Sequence, residues 1–545
     1  MFPNVVNEKR GISYKEIPPY LTLFSDDGGE KALRALSLFL PHCTVKAENE
    51  KDAIICAKHS AALAKTPEGY TLKILDGRVN IEYFTYSGLR SALATLSLSV
   101  KICEESLILP DLEIFDYPAA AHRGVMLDIA RGTVPYSTLA EDVVLIAKSR
   151  YNILHLHISD AKGVAIEMDS FPEEYRIENY YTKAEVAELV KLADDLALEI
   201  IPEFDMPAHS TRLNTIMPEL SCDTDATPKY LWTVCAGEER VYELYRKVLR
   251  EGAELFPGGR YLHIGGDELE FSDFPPERRR VCHWAECRKC KKKMEEEGIA
   301  DRQELYHYFV NRMNGYVKEC GRQTVMWSDQ IDCARPAGMS KDILMQFWRV
   351  AAPGRGPYVG CSLQAQLELG YNIINSNHPS TYVDEEHYMS SEKLSGWRWD
   401  EFPEISEDRK SQIFGSEICA WEYGNRGMYK HYDHSLPSAI VLAGDKLWCG
   451  KKEPYGKSES QSLTRAVLGE ATPEGLDVFI AFGDLYPKRE DDPCYPEKLT
   501  CGEEELKEII AILSKDNLFI GGDNRRAKVY KAGAKHALAL LTEKD

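Results

Sequence analysis

Two adjacent acids, Asp267 and Glu268, are the residues of this 545-residue chain best suited to chemistry; they close the segment HIGGDE at 263–268. The apolar residues before them predict a strand, and the Gly-Gly turn lets the two acids project in different directions. They can therefore contact neighbouring atoms of one ligand in separate roles. An acid beside another acid tends to have a raised pKa, which would keep one of them protonated as a general acid. A surface Asp-Glu pair in a loop is the alternative interpretation.

Acidic and aromatic side chains also follow the other predicted strands. These residues are Asp128, Asp160, Glu203, Asp205, His209, Trp327, Asp329, Trp348, Asn375, Tyr382, Asp384, Trp421 and Glu422. Carboxylates accept hydrogen bonds from sugar hydroxyls, and aromatic rings stack on the C–H face of a sugar ring. The set predicts a carbohydrate cleft, and its acidity argues against a phosphorylated ligand.

Parallel βα units are the elements that would position these side chains. Short strand-like segments alternate with amphipathic helical stretches. The segments begin at positions 124, 152, 198, 261, 323, 343, 371 and 413. Eight strands over about 300 residues match a (β/α)8 TIM barrel better than an open doubly wound sheet. Functional residues then belong at the carboxyl ends of the strands.

Two further segments flank the predicted barrel. Residues 1–116 combine short apolar alternations with a helical stretch and predict a small α+β accessory domain. We place the catalytic barrel at 117–455 and a largely helical C-terminal extension at 456–545. The predicted fold class is therefore α/β.

Composition limits the partners of the protein. The 66 basic and 87 acidic residues give a formal net charge of −21, which argues against a nucleic-acid partner. The longest apolar runs are about six residues where a membrane span needs ~20, and the N-terminal segment lacks a signal-peptide pattern. The fifteen cysteines do not resemble a disulfide framework. We expect a cytoplasmic protein with reduced cysteines and no membrane partner.

One group of residues has the ligand types for zinc. Cys282, His283, Cys287 and Cys290 lie within nine residues of one another. Their spacing differs from a pair of CxxC knuckles, and a charged helical stretch follows. A solvated helical hairpin is the favoured interpretation, and a zinc site is the alternative.

Several motifs together resemble the family 20 glycoside hydrolases, the β-N-acetylhexosaminidases. They are HRGVMLDIAR at 122–131, LHLHISD at 154–160, IIPEFDMPAHS at 200–210 and HIGGDE at 263–268, in that order. The resemblance covers the predicted barrel and, more loosely, the N-terminal domain. It implies an exo-acting retaining glycosidase that needs no cofactor or metal. Its partner would be an oligosaccharide or glycoconjugate with a terminal β-linked N-acetylhexosamine.

The resemblance also implies substrate-assisted catalysis, in which the substrate's acetamido carbonyl attacks the anomeric carbon and forms an oxazolinium ion. Glu268 matches the acid/base, Asp267 the residue that binds the acetamido N–H, and Tyr382 the donor to the acetamido oxygen. Arg123 matches an arginine that binds the 3- and 4-hydroxyls. The other matched substrate contacts are Asp160, His209, Trp327, Trp348, Asp384, Trp421 and Glu422, and Asp205 and His263 match residues that orient the acids and the sugar.

Two segments depart from the family pattern. DAKGVA at 160–165 stands where the family commonly has DDQGWR, and Glu422 follows Trp421 without the usual spacer. Both lie near the expected substrate, so we expect altered specificity with retained activity. The sequence leaves open N-acetylglucosamine, N-acetylgalactosamine or a sulfated sugar, the linkage, and the oligomeric state, for which a homodimer is one option.

Two other functions fit parts of the pattern. His155 and His157 on one strand, with His209 and His263 after later strands, resemble the ligands of a metal-dependent amidohydrolase. The metal-bridging lysine of that class is not identifiable, and the paired acids would have no role. A non-catalytic amino-sugar-binding protein is the other alternative, and the presence of both acids argues against it.

Overall fold

The computed structural model describes residues 5–40, 44–102, 106–226, 229–269, 281–331, 338–348, 361–384, 394, 396–400, 402, 405–424 and 436–450. The predicted C-terminal extension at 456–545 lies outside these residues. Within the described ranges, none of the helices is both long and apolar enough to cross a membrane.

The N-terminal part is a mixed sheet covered by two helices. Its strands are β1 (Asn7–Ile17), β2 (Leu21–Ser25), β3 (Thr44–Lys46), β4 (Ile55–His59), β5 (Tyr70–Leu75), β6 (Arg78–Tyr83), β7 (Lys101–Ile102) and β8 (Leu107–Asp116). The order is β1-β8-β5-β6-β4-β2-β3, with β7 beside β8. The helices α1 (Gly29–Phe39) and α2 (Tyr86–Ser99) contact each other and this sheet. The β5–β6 hairpin alternates buried and exposed residues, as a sheet with one covered face requires.

Eleven strands form the second sheet. They are β9 (His122–Asp128), β10 (Ile153–Asp160), β11 (Gly163–Ile166), β12 (Arg176–Tyr181), β13 (Glu199–Met206), β14 (Tyr261–Gly265), β15 (Gln323–Trp327), β16 (Leu344–Phe347), β17 (Asn372–Asn375), β18 (Tyr382–Val383) and β19 (Ile413–Ala420). Strands β9, β10, β13 to β17 and β19 pair in parallel, and β19 returns to β9 with Ser416 opposite Arg123. This closure confirms the predicted eight-stranded TIM barrel, and all eight predicted strand segments belong to it.

Helices surround the barrel. They are α3 (Tyr136–Lys148), α4 (Lys183–Asp195), α5 (Thr211–Ile216), α6 (Glu239–Leu255), α7 (Arg288–Glu297), α8 (Arg302–Glu319), α9 (Leu363–Glu368), α10 (His378–Thr381) and α11 (Leu436–Cys449). Helix α6 buries Val241, Tyr245, Val248 and Gly252, whose spacing makes one apolar face. Helix α4 begins at a capping box, in which Thr182 and Glu185 each bind the other's backbone N–H.

The interior of the barrel is built in layers. Six buried residues close its amino end: Ile153, Ile201, Tyr261, Val325, Leu344 and Ile374. The next inward position along β10 and β13 is occupied by His155 and Glu203, and Glu417 of β19 contacts His155 (2.8 Å); all three are fully buried. Because side chains alternate along a strand, residues two apart enter successive layers of one interior. The barrel is therefore apolar at its base and polar beneath its mouth.

Buried polar contacts join the N-terminal sheet to the barrel. Asp116 Oδ2, at the end of β8, accepts from Tyr70 Oη (2.9 Å), Trp448 Nε1 (2.8 Å) and Arg150 Nη1 (3.3 Å). Arg90 of α2 donates to two backbone carbonyls at the end of α3, with distances of 2.6 and 2.7 Å. The two units thus share a polar network that neither can satisfy alone.

Candidate active site

The loop after β14 places the paired acids at the carboxyl end of the barrel. Gly265 and Gly266 have φ values of 67° and 97°, so the backbone turns sharply before the acids. A Cβ at Gly265 would lie 1.8 Å from Asp205 Oδ1, so only glycine fits there. Glu268 also has a positive φ, 53°, a strained conformation for a residue with a side chain.

Two hydrogen bonds to the backbone of Glu268 hold this residue in place. Its backbone N–H donates to Asp329 Oδ2 (3.1 Å), and its carbonyl accepts from Trp232 Nε1 (2.9 Å). Asp329 also accepts from Trp348 Nε1 (3.1 Å), so one carboxylate orients both the acid and an aromatic wall. The side chain of Glu268 is 14% exposed, and its Oε2 lies 3.5 Å from His209 Nε2.

Asp267 offers an unused acceptor. It is 8% exposed, and its Oδ2 lies 3.6 Å from His209 Nε2. Its Oδ1 is buried and has no hydrogen-bond partner among the described residues. Because a buried carboxylate oxygen without a donor is unfavourable, this atom is suited to an N–H or O–H of a ligand.

His209 connects the acids to the barrel interior. Its Nδ1 lies 2.9 Å from Asp160 Oδ2, while its Nε2 faces Asp267 and Glu268. Burial alone would lower the pKa of His209, but the charges of Asp205, Asp160 and Asp267 raise it well above its usual value. The ring is therefore a cation between carboxylates.

Asp160 and Asp205 respond to their surroundings in opposite ways. Burial tends to raise the pKa of Asp160, but Arg131 and His209 hold it well below its usual value. Burial, reinforced by the charge of Asp267, raises the pKa of Asp205 well above its usual value. Both Asp205 side-chain oxygens lack a hydrogen-bond partner within the described part of the chain. Asp160 is thus ionised, whereas Asp205 holds a proton more readily than an ordinary aspartate because it is buried beside Asp267.

The predicted aromatic residues form one wall. The rings of Trp348 and Tyr382 stack with centroids 6.3 Å apart and planes 10° apart. Trp421 lies 5.7 Å from Tyr382 and 5.8 Å from Trp327. Trp327 Nε1 donates to Glu203 Oε1 (2.6 Å), which fixes the orientation of the indole. The structure brings these four rings together at the carboxyl end of the barrel.

Tyr382 is a donor held beside the acids. Burial raises the pKa of its hydroxyl well above 10, and the charges of Asp267 and Asp384 add to the effect. The hydroxyl therefore keeps its proton near neutral pH. Glu422 is also at this end, half-buried, and its backbone N–H donates to Asp128 Oδ2 (2.8 Å).

The structure does not bring Arg123 to this cleft, so its predicted role in binding hydroxyls is wrong. Arg123 lies at the start of β9, at the opposite end of the barrel, and its Nη2 pairs with Glu68 Oε2 (2.5 Å) of the N-terminal unit. The arginine at the cleft is Arg131, three residues beyond β9. Its guanidinium contacts Asp128 (3.0 Å) and Asp160 (2.8 Å) and lies 4.8 Å from the Trp421 ring.

Ionisable side chains form a continuous column through the barrel beneath the cleft. The successive contacts are His122–Glu417 (2.6 Å), Glu417–His155 (2.8 Å), His155–Glu203 (3.2 Å), Glu203–His157 (2.6 Å), His157–Asp160 (3.4 Å) and Asp160–His209 (2.9 Å). His263 joins at Glu203 (3.1 Å), below the acids. In the alternative amidohydrolase interpretation His155 and His157 would bind a metal, whereas in the structure both rings pair with carboxylates.

The residues of the alternative zinc site are only partly brought together. His283 Nε2 accepts from the Tyr230 backbone N–H (3.0 Å), and the Cys282 thiol is hydrogen-bonded to the Thr233 side chain. Neither residue therefore belongs to one cluster with Cys287 and Cys290. The alternative zinc site was therefore wrong to include Cys282 and His283. The predicted charged helix after them is confirmed as α7. Nine of the described cysteines are free thiols, and Cys361 is disulfide-bonded. The expectation of reduced cysteines stays a prediction.

A closed (β/α)8 barrel with paired carboxylates and an aromatic wall at its carboxyl mouth is the arrangement of a carbohydrate-active enzyme. The family profile "Glycosyl hydrolase family 20, catalytic domain" matches residues 121–443, more than half of the chain. The chain belongs to glycosyl hydrolase family 20. This confirms the resemblance predicted from the motifs and overturns the amidohydrolase alternative.

Relatives and solved structures agree with this assignment. The β-hexosaminidase of Porphyromonas gingivalis is 27% identical over 479 residues, which are 80% of this chain and 57% of that protein. The chain therefore spans little more than half the length of that relative. The β-hexosaminidase subunit alpha of Rattus norvegicus is 24% identical over 406 residues, 70% of each chain. The exo β-N-acetylglucosaminidase of Vibrio harveyi, solved with N-acetylglucosamine, shares the fold with a TM-score of 0.70, 21% identity and coverage of 86% of this chain and 76% of that one.

Proposed function

We propose that this chain is an exo-acting retaining glycosidase that releases terminal β-linked N-acetylhexosamine by substrate-assisted catalysis. The observation that carries the proposal is the buried, unpartnered Oδ1 of Asp267, beside Glu268 and near the protonated Tyr382. An acetamido group offers the N–H and the carbonyl oxygen that these two side chains can bind. The names of the Porphyromonas and Vibrio proteins support the same substrate class.

The first step uses the substrate's own nucleophile. The acetamido carbonyl oxygen attacks the anomeric carbon, the glycosidic bond breaks, and Glu268 gives its proton to the departing oxygen. Asp267 accepts the acetamido N–H and stabilises the positive charge that develops in the oxazolinium ring. Tyr382 donates to the acetamido oxygen and fixes its direction. Such positioning is worth effective molarities of about 10⁵ M or more.

The second step returns the proton. Ionised Glu268 takes a proton from water as the water oxygen attacks the anomeric carbon, and the oxazolinium ring opens to restore the acetamido group. Two inversions give net retention. The His209 cation lies 3.6 Å from Asp267 and 3.5 Å from Glu268, so it offsets the charge of ionised Asp267 in both steps and that of Glu268 once Glu268 has given up its proton.

Substrate contacts outside the reacting centre are also part of the proposal. We assign Arg131, rather than Arg123, to the hydroxyls of the sugar, because its guanidinium is 20% exposed beside Trp421 at the cleft. Asp384 and Glu422 remain proposed contacts. In the departing segment 160–165, β10 and β11 form a tight antiparallel hairpin with Asp160 opposite Gly163. A hydrolysis panel of gluco, galacto and 6-sulfated aryl glycosides would identify the preferred sugar.

The substrate class and the cellular location are further parts of the proposal. We propose a glycoconjugate or oligosaccharide as the substrate and the cytoplasm as the location. The nine free cysteines support a reducing compartment, whereas the disulfide at Cys361 opposes it.

Substitution of the acid tests the mechanism. We expect Glu268→Gln to lower kcat/KM about 10²- to 10⁴-fold for an aryl N-acetyl-β-hexosaminide with a weakly acidic phenol. The loss should be much smaller for a dinitrophenyl glycoside, because that group departs without a proton. Glu188→Gln, on the exposed face of α4, is the matched control and should behave as the parent chain. Equal losses with both leaving groups would contradict the role of Glu268 as the acid.

A second measurement addresses the nucleophile. A thiazoline analogue of the oxazolinium ion should inhibit the parent chain tightly, because it presents the same ring to Asp267 and Tyr382. Full activity in the presence of excess thiazoline would instead point to a glycosidase with a protein nucleophile.

A further inference from the structure

Four buried cysteines meet outside the catalytic cleft. Cys222, Cys235, Cys287 and Cys290 are each at most 3% exposed, and their sulfur atoms all lie within 4.8 Å of one another. We propose that these four thiolates bind one zinc ion as a closed structural site. The site would tie the loop after β13 to the segment after β14.

The distances between the sulfurs fit one tetrahedral metal. Cys235 Sγ lies 3.5 Å from Cys287 Sγ and 3.6 Å from Cys290 Sγ. A zinc ion with four Zn–S bonds of ~2.3 Å separates its sulfurs by about 3.8 Å. Four cysteines that leave no open position are the ligand set of structural, rather than catalytic, zinc sites.

The backbone brings the two cysteine pairs together. Cys287 and Cys290 form a CxxC turn at the start of α7, whereas Cys222 and Cys235 flank a loop closed by the bridge between Ser221 and Val234. The Arg288 N–H donates to the Asp223 carbonyl (2.9 Å), which joins the two segments next to the sulfurs.

A close approach at Gly237 completes the junction. A Cβ at Gly237 would lie 2.3 Å from the backbone carbonyl of Lys289, so a side chain there would push the loop away from the CxxC turn. The Asp223 N–H also points at Cys287 Sγ (3.3 Å), which is how backbone amides stabilise metal-bound thiolates. The surroundings therefore stabilise negatively charged thiolates and also hold the four sulfurs close together.

Neighbouring cations suit the charge of such a site. One Zn²⁺ and four thiolates carry a net charge of −2. Arg288 and Lys289 lie between Cys287 and Cys290, with Lys289 also paired to Glu238 (2.5 Å), and the amino end of α7 adds a partial positive charge. Arg288 is itself held by Asp223 (2.6 Å) and Asp225 (2.8 Å), so its guanidinium has a fixed place beside the cluster.

The site would act on the cleft through Trp232. This residue lies between Cys222 and Cys235, and its indole N–H donates to the Glu268 carbonyl (2.9 Å). Zinc would therefore hold the loop that orients the proposed acid. This consequence rests on the proposed function, whereas the binding of zinc does not.

Metal content tests the proposal directly. The full chain, produced with added zinc and purified without chelators, should contain about one zinc per chain, released when a mercurial blocks its thiols. X-ray absorption should show four sulfur neighbours at ~2.3 Å. Cys235→Ser and Cys290→Ser should retain less than about a tenth of the zinc under the same conditions. Cys282→Ser, a buried cysteine of the same segment that lies outside the cluster, is the matched control and should keep it.

Several results would overturn the zinc site. They are a folded parent chain with substoichiometric zinc, a mass spectrum showing disulfides among the four cysteines, or equal loss of zinc in Cys282→Ser. If the serine variants do not fold, cobalt exchanged into the parent chain decides the matter, since a tetrahedral thiolate site gives strong sulfur-to-cobalt absorption and its lack contradicts the proposal. A Glu268→Gln chain that is inactive but contains zinc would separate this proposal from the catalytic one.

Discussion

The two arginines of the first motif show how strongly position along a strand decides a residue's role. Arg123 and Arg131 stand eight residues apart in one motif. Arg123 starts the strand and pairs with Glu68, whereas Arg131 follows the strand and contacts Asp128 and Asp160. The carboxyl ends of all barrel strands meet at one mouth, so only the second arginine can reach a ligand bound there.

Replacing each arginine by glutamine should separate the two roles. We expect Arg131→Gln to lower kcat/KM roughly 10- to 100-fold, because a charge-assisted hydrogen bond is worth about 1.5–3 kcal/mol. Arg123→Gln should lower the thermal midpoint while KM stays near that of the parent chain. Steady-state kinetics and thermal unfolding of both variants check the prediction, and a large rise in KM for Arg123→Gln alone would contradict it.

Asp267 should contribute through charge as well as through its acceptor atom. Asp267→Asn keeps the size of the side chain but loses the negative charge near the oxazolinium ion. We expect kcat to fall about 10²- to 10³-fold, as for the loss of one preorganised electrostatic contact. Inhibition by the thiazoline analogue should weaken in parallel. Unchanged inhibition by the thiazoline would show that Asp267 does not bind the acetamido group.

Residues directly after strands could be predicted from the sequence, and residues in long loops could not. Glu268, Tyr382 and the tryptophans follow recognisable strands, so the barrel rule places them at the mouth. The same rule would have excluded Arg123, which lies at the amino end of its strand. Trp232 carries no such signal, because it lies in the irregular loop between β13 and α6 and contacts Glu268 only after the chain has folded.

At the scale of elements, the glycine turn after β14 fixes the direction of the acids. Gly265 has a φ of 67° and Gly321, after α8, has a φ of 70°, but only Gly265 faces a neighbour that a Cβ would strike. Comparing the two positions therefore distinguishes the cost of a left-handed backbone from the cost of a steric clash.

Alanine at each glycine should have different effects. Gly321→Ala should cost about 1–2 kcal/mol of stability, the ordinary penalty of a left-handed conformation, and leave activity intact. Gly265→Ala should cost more and abolish most activity, because the Cβ would displace Asp205 and the following acids. Thermal unfolding and kcat of the two variants test this, and equal behaviour of the pair would contradict the collision.

Elements that are local in sequence were predicted well, whereas contacts between distant loops were not. The periodicity of each strand is contained in four to eight residues, and the order of eight such segments defined the barrel. The cysteine cluster instead joins Cys235 to Cys287, which are 52 positions apart. Sequence proximity therefore suggested Cys282 and His283, which fold away from the other sulfurs.

At the scale of the whole molecule, the column of ionisable side chains inside the barrel makes the stability of the fold depend on pH. His155 lies between Glu203 and Glu417 in the closed barrel. Burial alone would lower its pKa, but the two carboxylates raise it to about 9. An unfolded chain has a histidine pKa of about 6.5. The charged ring therefore stabilises the fold fully below about pH 6.5, and this contribution is lost as the pH rises through about 9.

Removing that histidine should flatten the pH dependence. The shift corresponds to about 3 kcal/mol, so the parent chain should lose stability between pH 6.5 and 9.5, and His155→Gln should lose less over this range. His59→Gln, an exposed side chain at the end of β4 in the N-terminal sheet, is the control and should follow the parent chain. Thermal midpoints across the range provide the measurement. A parent-like slope in His155→Gln would contradict the prediction.

The upper part of the column also links the cleft to the barrel interior. His155, Glu203, His157, Asp160 and His209 contact one another in turn at 2.6 to 3.4 Å, so a proton gained by one changes the proton affinity of the next. An acid limb in the pH–rate profile should therefore spread over more than one pH unit, and His157→Gln, beneath Asp160, should displace it.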